Sequence, residues 1–157
     1  MPLVPRLKNI GTQITRAASG LALLVLLSAC SGTAPTDLGV RAGHLTGCPN
    51  SPNCVSSQAT DSEHAIAPLS LIGDAANSRS RLLALLASQP RVAIVSQEDN
   101  YIRAEFTSRL LRFVDDVEFM LGPQSIEVRS ASRLGHSDLG ANRARVEHLR
   151  EQLSQPE

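Results

Sequence analysis

Tryptophan is absent, tyrosine occurs once and phenylalanine three times, so aromatic residues make up only 3% of 157 positions. So few rings leave no stacking platform for sugars or nucleobases. Lysine is nearly absent as well: Lys8 is the single one, and every other basic side chain is an arginine. A GC-rich genome produces that bias blandly, which outweighs a selective demand for bidentate carboxylate or phosphate contacts. The sequence has no internal repeat and no GxSxG elbow, and the latter removes the simplest serine-hydrolase signature. No acidic residue precedes Asp37.

That last absence gives the N-terminus its meaning. Arg6, Lys8 and Arg16 lead into the apolar stretch AASGLALLVLL, which ends in LSAC at Cys30. The run is too short to span a bilayer, which needs about 20 apolar residues, and its basic, apolar, small order is that of a secretory signal peptide. Leu27, Ser28 and Ala29 before Cys30 resemble the lipobox of bacterial lipoproteins, in which the cysteine sulfur is acylated and becomes the new N-terminus. The expected organisation is a signal peptide over 1–29, a tether over 30–43 and a single domain over 44–153, with 154–157 as a tail. The tether SGTAPTDLGVRAG is small, polar and without period, as a spacer holding a domain off the membrane would be.

Cleavage removes 29 of 157 residues and leaves 128. It takes three of the 15 basic residues and none of the 15 acidic ones, for a formal charge of minus 3. A mildly acidic chain is a poor partner for nucleic acid, whose binding rests on excess positive charge. Two or three acyl chains at about 0.8 kcal/mol per buried methylene would hold the protein on a membrane. By resemblance to sorting in Gram-negative bacteria, Ser31 in place of aspartate directs it to the outer membrane, facing the periplasm.

Cys48 and Cys54 bracket the turn-prone loop CPNSPNC. In an oxidising compartment a disulfide is the leading reading. A metal site completed by His44 and His64 competes, although the spacing matches no common zinc pattern, and free thiols are the third alternative. No cofactor is implied.

Further on, DAANSRSRLLALLASQP gathers Leu82, Leu83, Leu85 and Leu86 on one helical face, with Asp74 or Asn77 as cap and Pro90 as stop. RVAIVS has apolar residues at both parities, as in a strand covered on both faces. YIRAEFTS alternates, with Ile102, Ala104 and Phe106 on one face and Tyr101, Arg103 and Glu105 on the other. LRFVDDVEFML aligns Leu111, Phe113, Val117, Phe119 and Leu121 with one intruder, Asp115. Matching apolar faces across a GPQS loop pairs Leu121 with Ile126, Phe119 with Val128 and Glu118 with Arg129. A TSRL loop pairs Phe106 with Leu111, Glu105 with Arg112 and Ile102 with Asp115. A last helix, ANRARVEHLREQL, aligns Val146, Leu149 and Leu153, with Ser137 or Asp138 as caps. The expected class is α+β: an antiparallel four-stranded meander with one helix before it and one after, both packed on one face.

Three blocks, CPNSPNCVSS at 48–57, RFVDDVEF at 112–119 and RSASRLGHSDLGANRARV at 129–146, together resemble the bacterial and plastid domain of unknown function 1499. The resemblance spans nearly all of 48–150 and implies no assigned activity. Where the family pattern carries an aromatic such as tyrosine, this chain has His136, so no essential imidazole is implied.

The residues of these blocks form the candidate site. Asp115 in an apolar row needs a partner, since a carboxylate leaving water must be paired. Arg133 and Arg143 are the expected partners, with Arg129 reserved for Glu118. Either these groups are a structural ion pair locking sheet to helix, or Asp115, Arg133 and Arg143 floor a pocket for an anion at a helix N-terminus. Asp138 would occupy that anion position if it caps the helix. Ser130, Ser132 or Ser137 with His136 and Asp115 or Asp116 supplies the residue types of a hydrolase, but His136, Ser137 and Asp138 diverge as sequence neighbours. Asn142 completes the polar block. The expected function is a non-catalytic envelope module binding an anionic small molecule, a lipid headgroup or an envelope protein. A hydrolase acting on an envelope substrate is the alternative.

Overall fold

A computed structural model describes residues 31–155. The expected signal peptide and the lipobox cysteine, Cys30, lie outside the described residues, as do the last two residues of the tail. The elements run β1 Cys54–Ser56, β2 Leu69–Ser70, α1 Ala75–Ser88, β3 Val92–Gln97, β4 Tyr101–Thr107, β5 Val114–Leu121, β6 Ser125–Ser132 and α2 Ala141–Ser154. The class is α+β, with two helices and an antiparallel sheet of six strands rather than four. The meander β3 to β6 is present, and β1 and β2 both add to the free edge of β6. Strands of three and two residues are too short to show a period of two, so the sequence could not announce them.

Both helices have the expected starts and stops for identifiable reasons. Asp74 caps α1 by accepting from the Asn77 amide at 2.7 Å, and the chain leaves the helix just before Pro90. α2 starts at Gly140 in the left-handed region, φ 84°, without a side-chain cap of its own. Asp138 serves from two residues upstream, accepting from the Asn142 amide at 2.6 Å and from Gly140 at 3.0 Å. Its carboxylate therefore fills the anion position at this helix end.

The core lies between the helices and one sheet face. Ile102, Ala104, Val117, Phe119, Ile126 and Val128 pack with Leu82, Leu86, Val146, Leu149 and Leu153. The expected β5–β6 register holds in full, with Leu121 opposite Ile126, Phe119 opposite Val128 and Glu118 opposite Arg129.

The β4–β5 register differs: Phe106 faces Asp115, Glu105 faces Asp116 and Ile102 faces Phe119. The connection spans 108–113 instead of four residues, so every partner moves by four. An even shift keeps each side chain on its face, and it sets Ile102 and Ala104 against Phe119 and Val117 instead of against Asp115 and Phe113. Leu111 and Phe113 consequently leave the strand and are exposed. β3 also departs from expectation. Its burial alternates and Val95 is 41% exposed, because only the face of this edge strand that carries Val92 and Ile94 packs on the core.

Cys48 and Cys54 form a disulfide, so the loop neither ligates a metal nor carries free thiols. Closing so small a loop contributes about 2 kcal/mol in the chain-entropy picture.

Candidate functional site

β-strand alternation divides the polar block between the two sheet faces. Asp115 points to the helix face with Val117 and Phe119, and Asp116 points the other way with Glu118 and Met120. Neighbouring carboxylates therefore have different partners.

On the helix face Asp115 is held by Arg145, not by Arg133 or Arg143. The Arg145 guanidinium also stacks 5.0 Å over the Phe106 ring and donates to Ser130 Oγ at 3.0 Å. Ser130 in turn donates to Asn142 Oδ1 at 2.6 Å. Asn142 has no solvent exposure, and its amide nitrogen donates to the Asn53 carbonyl and to Ser132 Oγ. Asn53 reaches onward to the Gly135 carbonyl at 2.7 Å. This network ties β1, β6 and the first turn of α2 into one unit, and each buried group has a partner, as burial requires. Arg143, two residues before Arg145, points elsewhere and donates to the carbonyls of Ala65 and Glu63. Successive helical residues turn by about 100°, so the two arginines serve nearly opposite faces.

On the outer face Arg133 forks onto Asp116 with bonds of 2.7 and 2.9 Å and also reaches Glu105. Glu105 and Asp116 are direct cross-strand neighbours. Like charges in that relation destabilise a sheet, and the arginine between them removes the conflict. Hydrogen bonding to Asp116 raises the Arg133 pKa above its ordinary value despite partial burial, with Glu105 adding to the effect. Asp115, Arg133 and Arg143 thus do not converge on one pocket.

A second outer-face cluster centres on Glu118, which has no solvent exposure. It accepts from Arg129 at 3.2 Å, from the Tyr101 hydroxyl at 2.9 Å and from the Gly39 amide at 2.8 Å. Arg103 and Arg129 flank it on the adjacent strands, and the Nε of each is buried without a hydrogen-bond partner. Burial, and then the neighbouring Glu118 charge, push the Tyr101 phenol well above its ordinary pKa.

The Gly39 contact shows what covers this face. Val40 and Leu45 pack on Tyr101 and Met120, while Gly32 lies against Arg133 and Leu134. Residues 32–45, which include most of the expected tether, run lengthwise over the sheet as a strap.

His136, Ser137 and Leu139 sit on the exposed loop before α2. Ser137 Oγ accepts from the Leu139 amide. Among the described residues no group of three or more His, Cys, Asp or Glu is placed to hold a metal, and no helix is long and apolar enough to cross a membrane.

A separate pair holds the loop between β1 and β2. His64 Nδ1 lies 2.7 Å from Asp61 and Nε2 lies 3.2 Å from the Ser51 carbonyl, so the protonated ring donates to both. Burial opposes that charge, but the Ser51 carbonyl and the Asp61 carboxylate outweigh it and raise the His64 pKa. A raised folded-state value means the stabilisation is complete below the ordinary imidazole value of about 6.5 and is lost as pH rises through the folded one. Stability should therefore fall as pH rises above about 6.5, and His64→Asn should flatten that slope in urea titrations. A slope unchanged by the substitution would rule out this pair as its source.

The three sequence blocks now occupy connected positions: the disulfide loop feeds Asn53 to Asn142, and 112–119 and 129–146 supply the three pairs Asp115–Arg145, Asp116–Arg133 and Glu118–Arg129. A family model described as "Protein of unknown function (DUF1499)" matches residues 44–153. The chain belongs to this family. No curated protein and no solved structure matches it. The matched DUF1499 region contains the sheet, both helices, the disulfide and the three arginine–carboxylate pairs, while most of the strap precedes it.

Of the groups that carry these clusters, Arg145, Asn53, Glu105 and Tyr101 were not anticipated as site residues. Tyr101 and Glu105 had a usable signal, since alternation puts them on the face of Asp116, Glu118 and Arg133. Asn53 had none.

Proposed function

We propose that this DUF1499 chain is a lipid-anchored module of the bacterial envelope that acts by binding or bracing and not by catalysis. Mutual neutralisation supports this reading: Asp115, Asp116 and Glu118 each receive an arginine inside the fold. Those charges hold the strap and α2 on the sheet instead of awaiting a substrate. The hydrolase alternative needs a base beside a nucleophile, and here the exposed His136 and the inward Asp115 belong to different parts of the fold. Outer-membrane attachment through Cys30, facing the periplasm, completes the proposal.

The test is fractionation of the full chain in a Gram-negative host. Wild type should appear in the membrane fraction with an acylated N-terminal peptide, and Cys30→Ala should lose the acyl mass and hold the membrane much more weakly. Equal membrane association of the two forms would refute the anchor.

A second reading, an anionic small molecule, is favoured by a cavity of about 290 Å³ lined by Arg91, Phe106, Arg145 and His148. Native mass spectrometry of wild type should then show a co-purifying anion that Arg91→Ala with His148→Ala abolishes. An identical spectrum for the variant would exclude that cavity.

A further inference from the structure

One end of the sheet carries an uncovered apolar tip. The 108–113 loop joins β4 to β5 there and presents Leu110 at 85%, Leu111 at 62% and Phe113 at 40% exposure. The loop after β6 starts at the same end, where the Arg133 amide bonds the Val114 carbonyl at 3.2 Å. That loop adds Leu134 and, just before α2, Leu139 at 96% exposure. Arg109 and Arg112 are exposed on either side of the Leu110–Leu111 pair, and 108–113 contains no acidic residue. Water-facing leucines concentrated at one end, with arginines flanking them, mark an interaction surface.

The strap indicates what this surface meets. Gly32 sits against Arg133 and Leu134, so closely that an added Cβ would lie 2.9 Å from Arg133 and 3.1 Å from Leu134. Farther along, Gly39 is fastened to Glu118. Two residues span at most about 7 Å, so a lipid on Cys30 must leave the chain beside the tip. A free 14-residue tether would let the domain face any direction, whereas a strap seated on the sheet gives it one orientation.

We infer that the tip formed by Leu110, Leu111, Phe113 and Leu134, with Arg109 and Arg112, is a membrane-docking surface that seats the domain on an anionic phospholipid bilayer beside its own anchor. The inference rests on the anchored reading of Cys30 and adds which face meets the membrane. Leucine and phenylalanine side chains enter the acyl boundary, and the arginines stay at headgroup level with the phosphates. The opposite end, with the 122–124 turn and the start of α1, then faces away from the bilayer.

The absence of native tryptophan makes a direct test available. The full chain carrying Leu110→Trp, purified after acylation and reconstituted into phosphatidylethanolamine–phosphatidylglycerol vesicles, should emit to the blue and be quenched by brominated acyl chains. Gln124→Trp, exposed at the far end, should keep aqueous emission and little quenching. In the full-length Cys30→Ala background, replacing Arg109 or Arg112 by glutamine should weaken vesicle binding about fivefold each. Acylated, vesicle-held protein whose Leu110→Trp signal matches that of Gln124→Trp would overturn the docking surface and leave the anchor standing. If the N-terminal peptide carries no acyl mass, the anchor fails. Added vesicles then still decide the tip, quenching supporting it and aqueous emission overturning it.

Discussion

Arg133→Ala should destabilise the folded chain by about 3–5 kcal/mol, the cost of leaving buried charge without its partner. The arginine side chain is 6% exposed and that of Asp116 2% exposed, so neither has water as a substitute. Its loss also leaves Glu105 and Asp116 opposed across β4 and β5. Set against a typical total of about 5–15 kcal/mol, this is a large fraction of the stability. The measurement is a urea midpoint, with Arg133→Met plus Asp116→Leu as companion. Replacing both buried charges with apolar groups removes the unpaired carboxylate and should restore most of the loss. A single variant that loses less than about 1 kcal/mol would show that the cluster is solvated and no brace.

Glu118→Ala should have a comparable effect and a second, local one. It deprives Arg129, the Tyr101 hydroxyl and the Gly39 amide of their shared acceptor. Unpartnered buried donors cost about 1–3 kcal/mol apiece, more when charged. The strap is held there by Gly39, so residues 33–44 should become protease-sensitive before the domain unfolds. Glu118→Gln separates charge from hydrogen bonding, because its carbonyl oxygen can still receive Gly39. With a single tyrosine and no tryptophan, the phenol absorbance titration reports on Tyr101 alone. Since its folded pKa is raised, its contribution is complete below the ordinary value of about 10 and lost as pH rises above it. In Glu118→Gln the phenol should ionise at lower pH than in wild type, because the neighbouring negative charge is gone. An unchanged titration would mean that burial alone sets it.

Several of these relations were legible in the sequence. The β5–β6 register followed from apolar alternation across a short loop, which also placed Glu118 opposite Arg129. Val146, Leu149 and Leu153 announced the buried side of α2. The β4–β5 register was not legible, because shifts of two or four residues preserve the face pattern, and Leu111 and Phe113 imitate strand positions while lying in a loop. The partner of Asp115 was missed for a different reason. Arg143 and Arg145 are both in α2, and choosing between them requires the rotation of the helix against the sheet. Arg133 was expected beside Asp115 although it shares its parity with Arg129, and so the face of Asp116, which it holds instead.

The sequence by itself determined the family, the α+β class, the helices and which side chains share a face, because these depend on short-range periodicity and on residue identity. The tertiary structure alone decided that Arg145 neutralises Asp115, that Asn53 meets Asn142 89 residues away, and that the supposed spacer lies on Glu118 as a strap. Those outcomes depend on contacts between segments distant in sequence, where low period, small residues and glycine leave no local signal. Packing and the need to satisfy buried charge selected among arrangements that the residue pattern left equivalent.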